Sequence, residues 1–429
     1  MTRRSLRWLL AGATLTTLTH AASAQSLDRR VAQVRDGEVE FNYSARPGIC
    51  GDGRYWMRVD ASSWHGTFND VTRLAPCEDG PVRVLLTRAE GTTVKLQTYA
   101  GPLQSEQGAT NIGRVPAREA AAYLLSIAQT VDARTGGDAI FPASLADSAV
   151  VSPVLLEIVQ NTARPRELRR RAMSHLAQRA DEPGGVGGRD AGRRLAALAR
   201  DEKDNQQVRQ SALSALLRLD AGAGFTSLEE LALNANDPWL AGAATKALAG
   251  SGDPRAREFL RRAAARTDMP NEARSAAIQG LGGEYGSAAD AAFLRDLYPK
   301  LTSEHQRDAA LSAIASIGGS TNATWLLTIA RGDTGYVRQR RRAIELADRA
   351  GVPVTELISL YDNVGDSEIR SAIIDALARD GSRAAVDKLL AIARDDTQSN
   401  QRRRAISMLG KFDDARVRDA LRGLVERPR

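Results

Sequence analysis

Histidine is the side chain that most often signals metal binding or proton transfer, and this 429-residue chain has four: His20, His65, His175 and His305. None has a second histidine or cysteine three or four residues away, the spacing that places two donors on one helix face, so no metal site is predicted. Nucleophilic chemistry has no better signature. The chain contains no G-x-S-x-G elbow, no H-E-x-x-H and no phosphate-binding G-x-x-x-x-G-K-[ST] sequence. Ser62-Ser63-Trp64-His65 sets hydroxyls beside an imidazole, but a triad needs groups that converge in space, not neighbours in sequence. The acidic pairs Asp395/Asp396 and Asp413/Asp414 fall between helical segments, where carboxylates cap helix N-termini. No catalytic residue, no cofactor-binding residue and no cofactor is expected, and the chain reads as a binding protein before an enzyme.

Two cysteines, Cys50 and Cys77, could cross-link or do redox chemistry, and the compartment decides between these. Residues 1–24 read as an export signal. Arg3, Arg4 and Arg7 precede a short apolar run from Trp8 to Leu18, and Ala22-Ser23-Ala24 supplies an A-x-A cleavage site. The run is too short to cross a bilayer of about 30 Å as a helix, and no Cys follows the cleavage point to carry a lipid. The general secretory route is the first expectation, although T-R-R-S-L-R also fits twin-arginine export. A periplasmic or extracellular location follows, with no transmembrane segment in the mature chain. In such an oxidising compartment an even pair of cysteines reads as a disulfide, stabilising by about 3 kcal/mol through loop closure. A redox-active pair is the alternative, but it lacks the C-x-x-C spacing that lowers a thiol pKa.

The remaining chemistry is cationic. Arginines cluster at Arg169–Arg171, at Arg338 with Arg340–Arg342, and at Arg402–Arg404. Arg170, Arg171, Arg338, Arg341, Arg342, Arg403 and Arg404 are the candidate partner-binding residues, able to form a discontinuous stripe for an acidic protein partner or an anionic envelope polymer. On the alternative reading, one Arg per cluster is structural and the others are solvated. Nucleic acid is not an expected partner. Three of the 59 basic residues and none of the 52 acids leave with the export signal, so the mature chain carries only +4.

The elements that position these arginines repeat. The pattern Arg-x-x-Ala-Leu-x-x-x-Leu recurs with its Ala-like anchor at Ala172, Ala212, Ala244, Ala277, Ala310, Ala343, Ile373 and Ala405, spaced 40, 32, 33, 33, 33, 30 and 32 residues apart. An apolar segment precedes each anchor, among them Leu155/Ile158, Leu228/Leu231, Leu294/Leu297 and Leu389/Ile392, and a final one, Leu421/Leu424, closes the series. Two antiparallel helices joined by short turns fit this spacing. Breakers mark the turns, as in Asn236-Asp237-Pro238, Gly252-Asp253-Pro254 and Asp380-Gly381-Ser382. The one long interval contains Glu182-Pro183-Gly184-Gly185-Val186-Gly187-Gly188, read as a flexible loop inserted between pairs one and two.

This repeat resembles the HEAT-like family, in particular its short version of about 30 residues, also seen in phycobilisome lyases, over about residues 152–429. The features that carry the resemblance are the two-helix period and the Arg three residues before the anchor: Arg169, Arg209, Arg274, Arg307, Arg340, Arg370 and Arg402, with only Ala241 breaking the series. The resemblance implies a right-handed α-α superhelix, and a ladder in which each Arg pairs with an Asp of a neighbouring repeat. Asp204, Asp237, Asp268, Asp333, Asp366 and Asp396 lie four to seven residues upstream of the Arg position, at varying offsets. Pigment attachment is not implied, because nothing in the sequence marks a bilin site.

Ahead of the repeats, residues 25–115 carry short alternating segments (Glu38–Tyr43, Arg54–Val59, Val82–Arg88 and Thr92–Tyr99), with Ala89-Glu90-Gly91 placed as a hairpin connection. Pro116 opens a helix to about Ala133, and Gly136–Ser148 reads as a connector. The expected fold is mainly α: a HEAT-like solenoid of about eight helix pairs plus a terminal helix over residues 152–429. A small disulfide-stapled β-rich domain over residues 25–115 and a helix with connector over residues 116–151 precede it. The expected function is an exported scaffold binding a protein through the solenoid surface. An enzyme or enzyme accessory, with groups around Trp56, Trp64 and His65, is the alternative.

Overall fold

The computed structural model describes residues 26–60, 63–66, 76–104, 106–219, 222–234, 236–332, 336–413 and 415–425, with the backbone alone for 63–66 and 424–425. The export signal and Asp333 lie outside the described residues. So do the side chains of Trp64, His65 and Leu424. The chain divides into two compact units, residues 1–151 and 152–429.

In the first unit, α1 (Leu27–Ala32) leads into a four-stranded sheet ordered β7-β6-β1-β8: β1 (Gly37–Tyr43), β6 (Val82–Ala89), β7 (Thr92–Ala100) and β8 (Thr110–Arg114). Strand β1 pairs antiparallel with β6 and parallel with β8. Glu90-Gly91 forms the two-residue turn between β6 and β7. A second, antiparallel sheet runs β4-β3-β2-β5, from β2 (Ile49–Gly51), β3 (Trp56–Val59), β4 (Ser63–Gly66) and β5 (Glu78–Asp79). The Cys50–Cys77 disulfide ties β2 to the residue before β5.

Strand β1 is buried on both faces. Phe41 meets the Tyr123 ring of α2 (Ala117–Thr130) edge-on, and the Tyr43 hydroxyl donates to the Pro142 carbonyl of α3 (Ala133–Leu145) at 2.6 Å. On the other face Glu40, 2% exposed, accepts from Arg83, from the Glu106 amide and from Asn111, while Arg83 stacks on the Tyr99 ring.

The existence of α3 corrects the expectation of a connector over Gly136–Ser148. Gly136, Gly137 and Pro142 read as breakers, yet Asp132 caps the helix by accepting from the Arg134 and Thr135 amides. Gly136 is there for close packing: a Cβ on it would lie 3.1 Å from the Ala128 carbonyl oxygen of α2.

The second unit is a row of helix pairs. They are α4 (Ser152–Gln160) with α5 (Arg166–Arg179), α6 (Gly188–Arg200) with α7 (Gln206–Leu216), α8 (Ala223–Asn234) with α9 (Pro238–Ala249), and α10 (Pro254–Ala265) with α11 (Asn271–Leu281). The row continues with α12 (Ala288–Leu297) and α13 (Glu304–Ile317), α14 (Ser320–Arg331) and α15 (Val337–Arg349), α16 (Val354–Asn363) and α17 (Ser367–Asp380), then α18 (Arg383–Asp395) and α19 (Ser399–Leu409). A single α20 (Ala415–Val425) follows. All eight anchors, from Ala172 to Ala405, are fully buried at 0% exposure. One continuous apolar layer therefore runs along the stack, each pair burying its face against the next. Most second helices pack against their neighbours more closely than first helices do.

The Gly-rich insertion is not free, contrary to the flexible loop expected. The Ser152 amide donates to Glu182 at 2.7 Å and the Val186 amide donates to the Ser152 hydroxyl. The Gly188 amide donates to Asp181 at 2.6 Å. The loop gains order because it satisfies the open N-terminus of α4, an end with unpaired backbone donors.

Candidate interaction surface on the second helices

Each second helix has one edge that holds the stack and one face that is open. The edge is built from the repeated arginines. Arg169 donates through Nε to the Val159 carbonyl at the end of its own first helix, and through both terminal nitrogens to Asp204 of the next pair at 3.0 and 2.6 Å. Arg209 makes the same two contacts, with the Ala199 carbonyl and Asp237, and its guanidinium stacks on Trp239. Arg340 bonds the Ala330 carbonyl and reaches Asp366 at 3.5 Å; Arg370 pairs with Asp396 at 3.3 Å.

The carboxylate in each rung has a second task. Asp204 accepts from the Asn205 amide, Asp237 from Trp239, Asp366 from Glu368 and Ile369, and Asp396 from Gln398. Each therefore joins an arginine of one pair to the N-terminus of the next second helix. At Asp204 and Asp237 burial pushes the carboxyl pKa up, but the arginine and backbone donors outweigh it and hold both below the usual carboxylate value.

Three arginines of the series bond otherwise. Arg307 donates to the Leu301 carbonyl, Arg402 to the Asp396 and Thr397 carbonyls, and Arg274 to the Ala264 carbonyl alone. Asp268, the acid in the turn of the pair after Ala241, pairs with Arg266 instead. Around this fourth pair other contacts hold the stack. Asp290, wholly buried, bonds Arg257 and Arg261 of α10. A Cβ on Gly280 would lie 2.5 Å from that of Ala249, so α9 and α11 touch directly.

The flanking arginines face carboxylates. Arg170 and Arg171 pair with Glu167, Arg338 with Glu304 and Asp308, Arg341 with Glu368, Arg342 with Glu345 and Arg404 with Asp375. Arg403 is exposed, with no ion pair among the described residues. Alternation of sign turns the expected basic stripe into a mixed surface, with exposed pairs worth little each.

The open face forms a groove. One cavity of about 600 Å³ is lined by Trp239, Ala243, Lys246, Glu272, Ala276 and neighbours on α7, α9 and α11. A second, of about 610 Å³, is lined by Asp308, Ser312, Arg338, Arg342 and Glu345 of α13 and α15. Both include Gln279 and His305, so the two meet and cross five successive second helices. Its floor is small (Gly242, Ala243, Ala247, Ser275, Ala276 and Ala309) and its rim is charged. These floor residues were not among the sequence candidates. The available signal was their smallness at second-helix positions outside the buried anchor series.

A family model described as HEAT repeats matches residues 193–282, 226–301 and 354–429. The solenoid belongs to the HEAT-repeat family. No curated protein matches the chain significantly in sequence. Among solved structures the HEAT-repeat chain is distantly similar to human deoxyhypusine hydroxylase in complex with glycerol (17% identity over 56% of this chain and 92% of that one, TM-score 0.27). An engineered protein is 16% identical over 72% of this chain and 95% of its own, with a TM-score of 0.32. UNC-45 from Drosophila melanogaster is 13% identical over 72% of this chain and 58% of its own, with a TM-score of 0.25.

Proposed function

We propose that the chain is an exported scaffold of the cell envelope that binds a protein segment along the groove of α7 to α15. The groove carries this reading: five second helices line it, with small side chains from α9, α11 and α13 between charged groups, room for an extended or helical segment with both apolar and charged residues. Mixed rim charge favours recognition of a patterned partner over simple attraction of a polyanion. Export rests on the N-terminal signal and fits the Cys50–Cys77 disulfide. No described helix is long and apolar enough to cross a membrane.

The test is capture of envelope proteins on the immobilised mature chain, compared with an Ala243→Arg variant that fills the groove floor. A specific partner held at moderate salt by the unaltered chain and lost on A243R supports the proposal. Equal capture by both, or none by either, removes the groove from it.

A further inference from the structure

We infer that the turn before α13 is a carboxylate-binding site, in which Arg274 and the α13 N-terminus receive an acidic group from outside the chain. The inference is independent of the groove and concerns the opposite, rung-bearing edge of the second helices.

Four rungs define what such a place holds. At Asp204, Asp237, Asp366 and Asp396 one carboxylate bonds both an arginine of the preceding pair and an amide at the start of the next second helix. Asp237 and Asp366 are themselves the N-cap residues. In the fifth pair the corresponding turn is Tyr298-Pro299-Lys300-Leu301-Thr302-Ser303, without an acid. The N-cap is Ser303, whose side chain makes no capping bond.

The arginine that would meet that acid is nevertheless present. Arg274 donates through Nε to the Ala264 carbonyl at 2.9 Å, ten residues back, the same contact that sets the guanidinium direction in Arg169, Arg209 and Arg340. It is 7% exposed, and its terminal nitrogens have no partner among the described residues. Burial alone acts on it and draws its pKa below the ordinary guanidinium value, with no carboxylate to oppose the effect. Glu304, the acid nearest in sequence, is engaged with Arg338. The guanidinium has no counter-charge and its free nitrogens reach solvent, where an anion can meet them, and a helix N-terminus offers both donors and positive potential to an anion. Thr302 is exposed, so the turn is open to solvent. Arginine fork and backbone amides together match the two oxygens of a carboxylate.

The acidic group has two possible sources, a side chain of a partner protein or a free small carboxylate. Thermal unfolding of the full mature chain in sodium acetate, against sodium chloride at equal ionic strength, reads the site. Acetate is expected to raise the midpoint saturably. In S303D, which rebuilds the rung from within, the midpoint in chloride should rise and the acetate response should fall about tenfold or more, as it should in R274Q. Blocked N-acetyl-glutamate amide reproducing the acetate effect assigns the site to partner side chains; acetate acting alone assigns it to small free carboxylates. Equal response to acetate and chloride in the unaltered chain, or an unchanged acetate response in S303D, overturns the inference. S303D introduces a favourable cap, so the test stands even where R274Q does not fold.

Discussion

The N-terminal unit and the solenoid both bury arginine–carboxylate pairs, but they give them different amounts of structure to hold. Glu40 is a single node: it joins β1 to Arg83 on β6, to Asn111 on β8 and to the Glu106 amide. Asp204 joins only two neighbouring helix pairs, and the same joint recurs at Asp237, Asp366 and Asp396. A sheet closed by one node fails as a whole. A row of nearest-neighbour joints fails locally.

Glu40→Ala should show the difference most strongly. It strands Arg83, 5% exposed, and should cost about 4 kcal/mol. Hydrogen exchange should rise together across β1, β6 and β8 while the solenoid keeps its protection; a loss confined to one strand would break the comparison. Asp204→Ala should cost about 3 kcal/mol, with exchange rising only in α5 to α7. Loss of protection along the entire row would show long-range coupling instead. Cys50→Ser with Cys77→Ser removes a bridge across 27 residues and should cost the first unit about 3 kcal/mol. Denaturation followed by unit-specific exchange should leave the solenoid midpoint in place. The smallest effect is acid sensitivity. Asp204 and Asp237 titrate below their unfolded values, so their stabilisation is complete above about pH 4 and fades as pH falls through the lower folded values. A double Asp→Asn variant should flatten this part of the stability–pH curve; an unchanged slope would assign the acid response to other groups.

Periodicity made the solenoid legible. Eight anchors at nearly constant spacing reveal eight pairs, because each pair solves the same packing problem with the same small residue. Non-repeating contacts leave no such trace. Arg83 and Glu40 are ordinary charged residues until the sheet aligns them. Gly136 and Pro142 resemble breakers because sequence does not reveal that α2 packs closely against Gly136. The groove residues are similar: Ala243 and Ala276 carry no chemistry of their own, and only adjacent helices turn their smallness into space. The break at Ala241 is visible in sequence, whereas the isolation of Arg274 needs the turn before α13 to be seen beside it.

The loop from Asp181 to Gly188, folded back on Ser152, gives the array a direction. Interior pairs that share the arginine–aspartate rung are alike, so duplication or loss of such a unit lengthens or shortens the row while preserving that joint. The first pair is different, because its leading helix depends on an insertion found only after its second. Growth and shrinkage of such an array are therefore confined to one side of that loop, and its first pair is a fixed origin from which repeat number can vary.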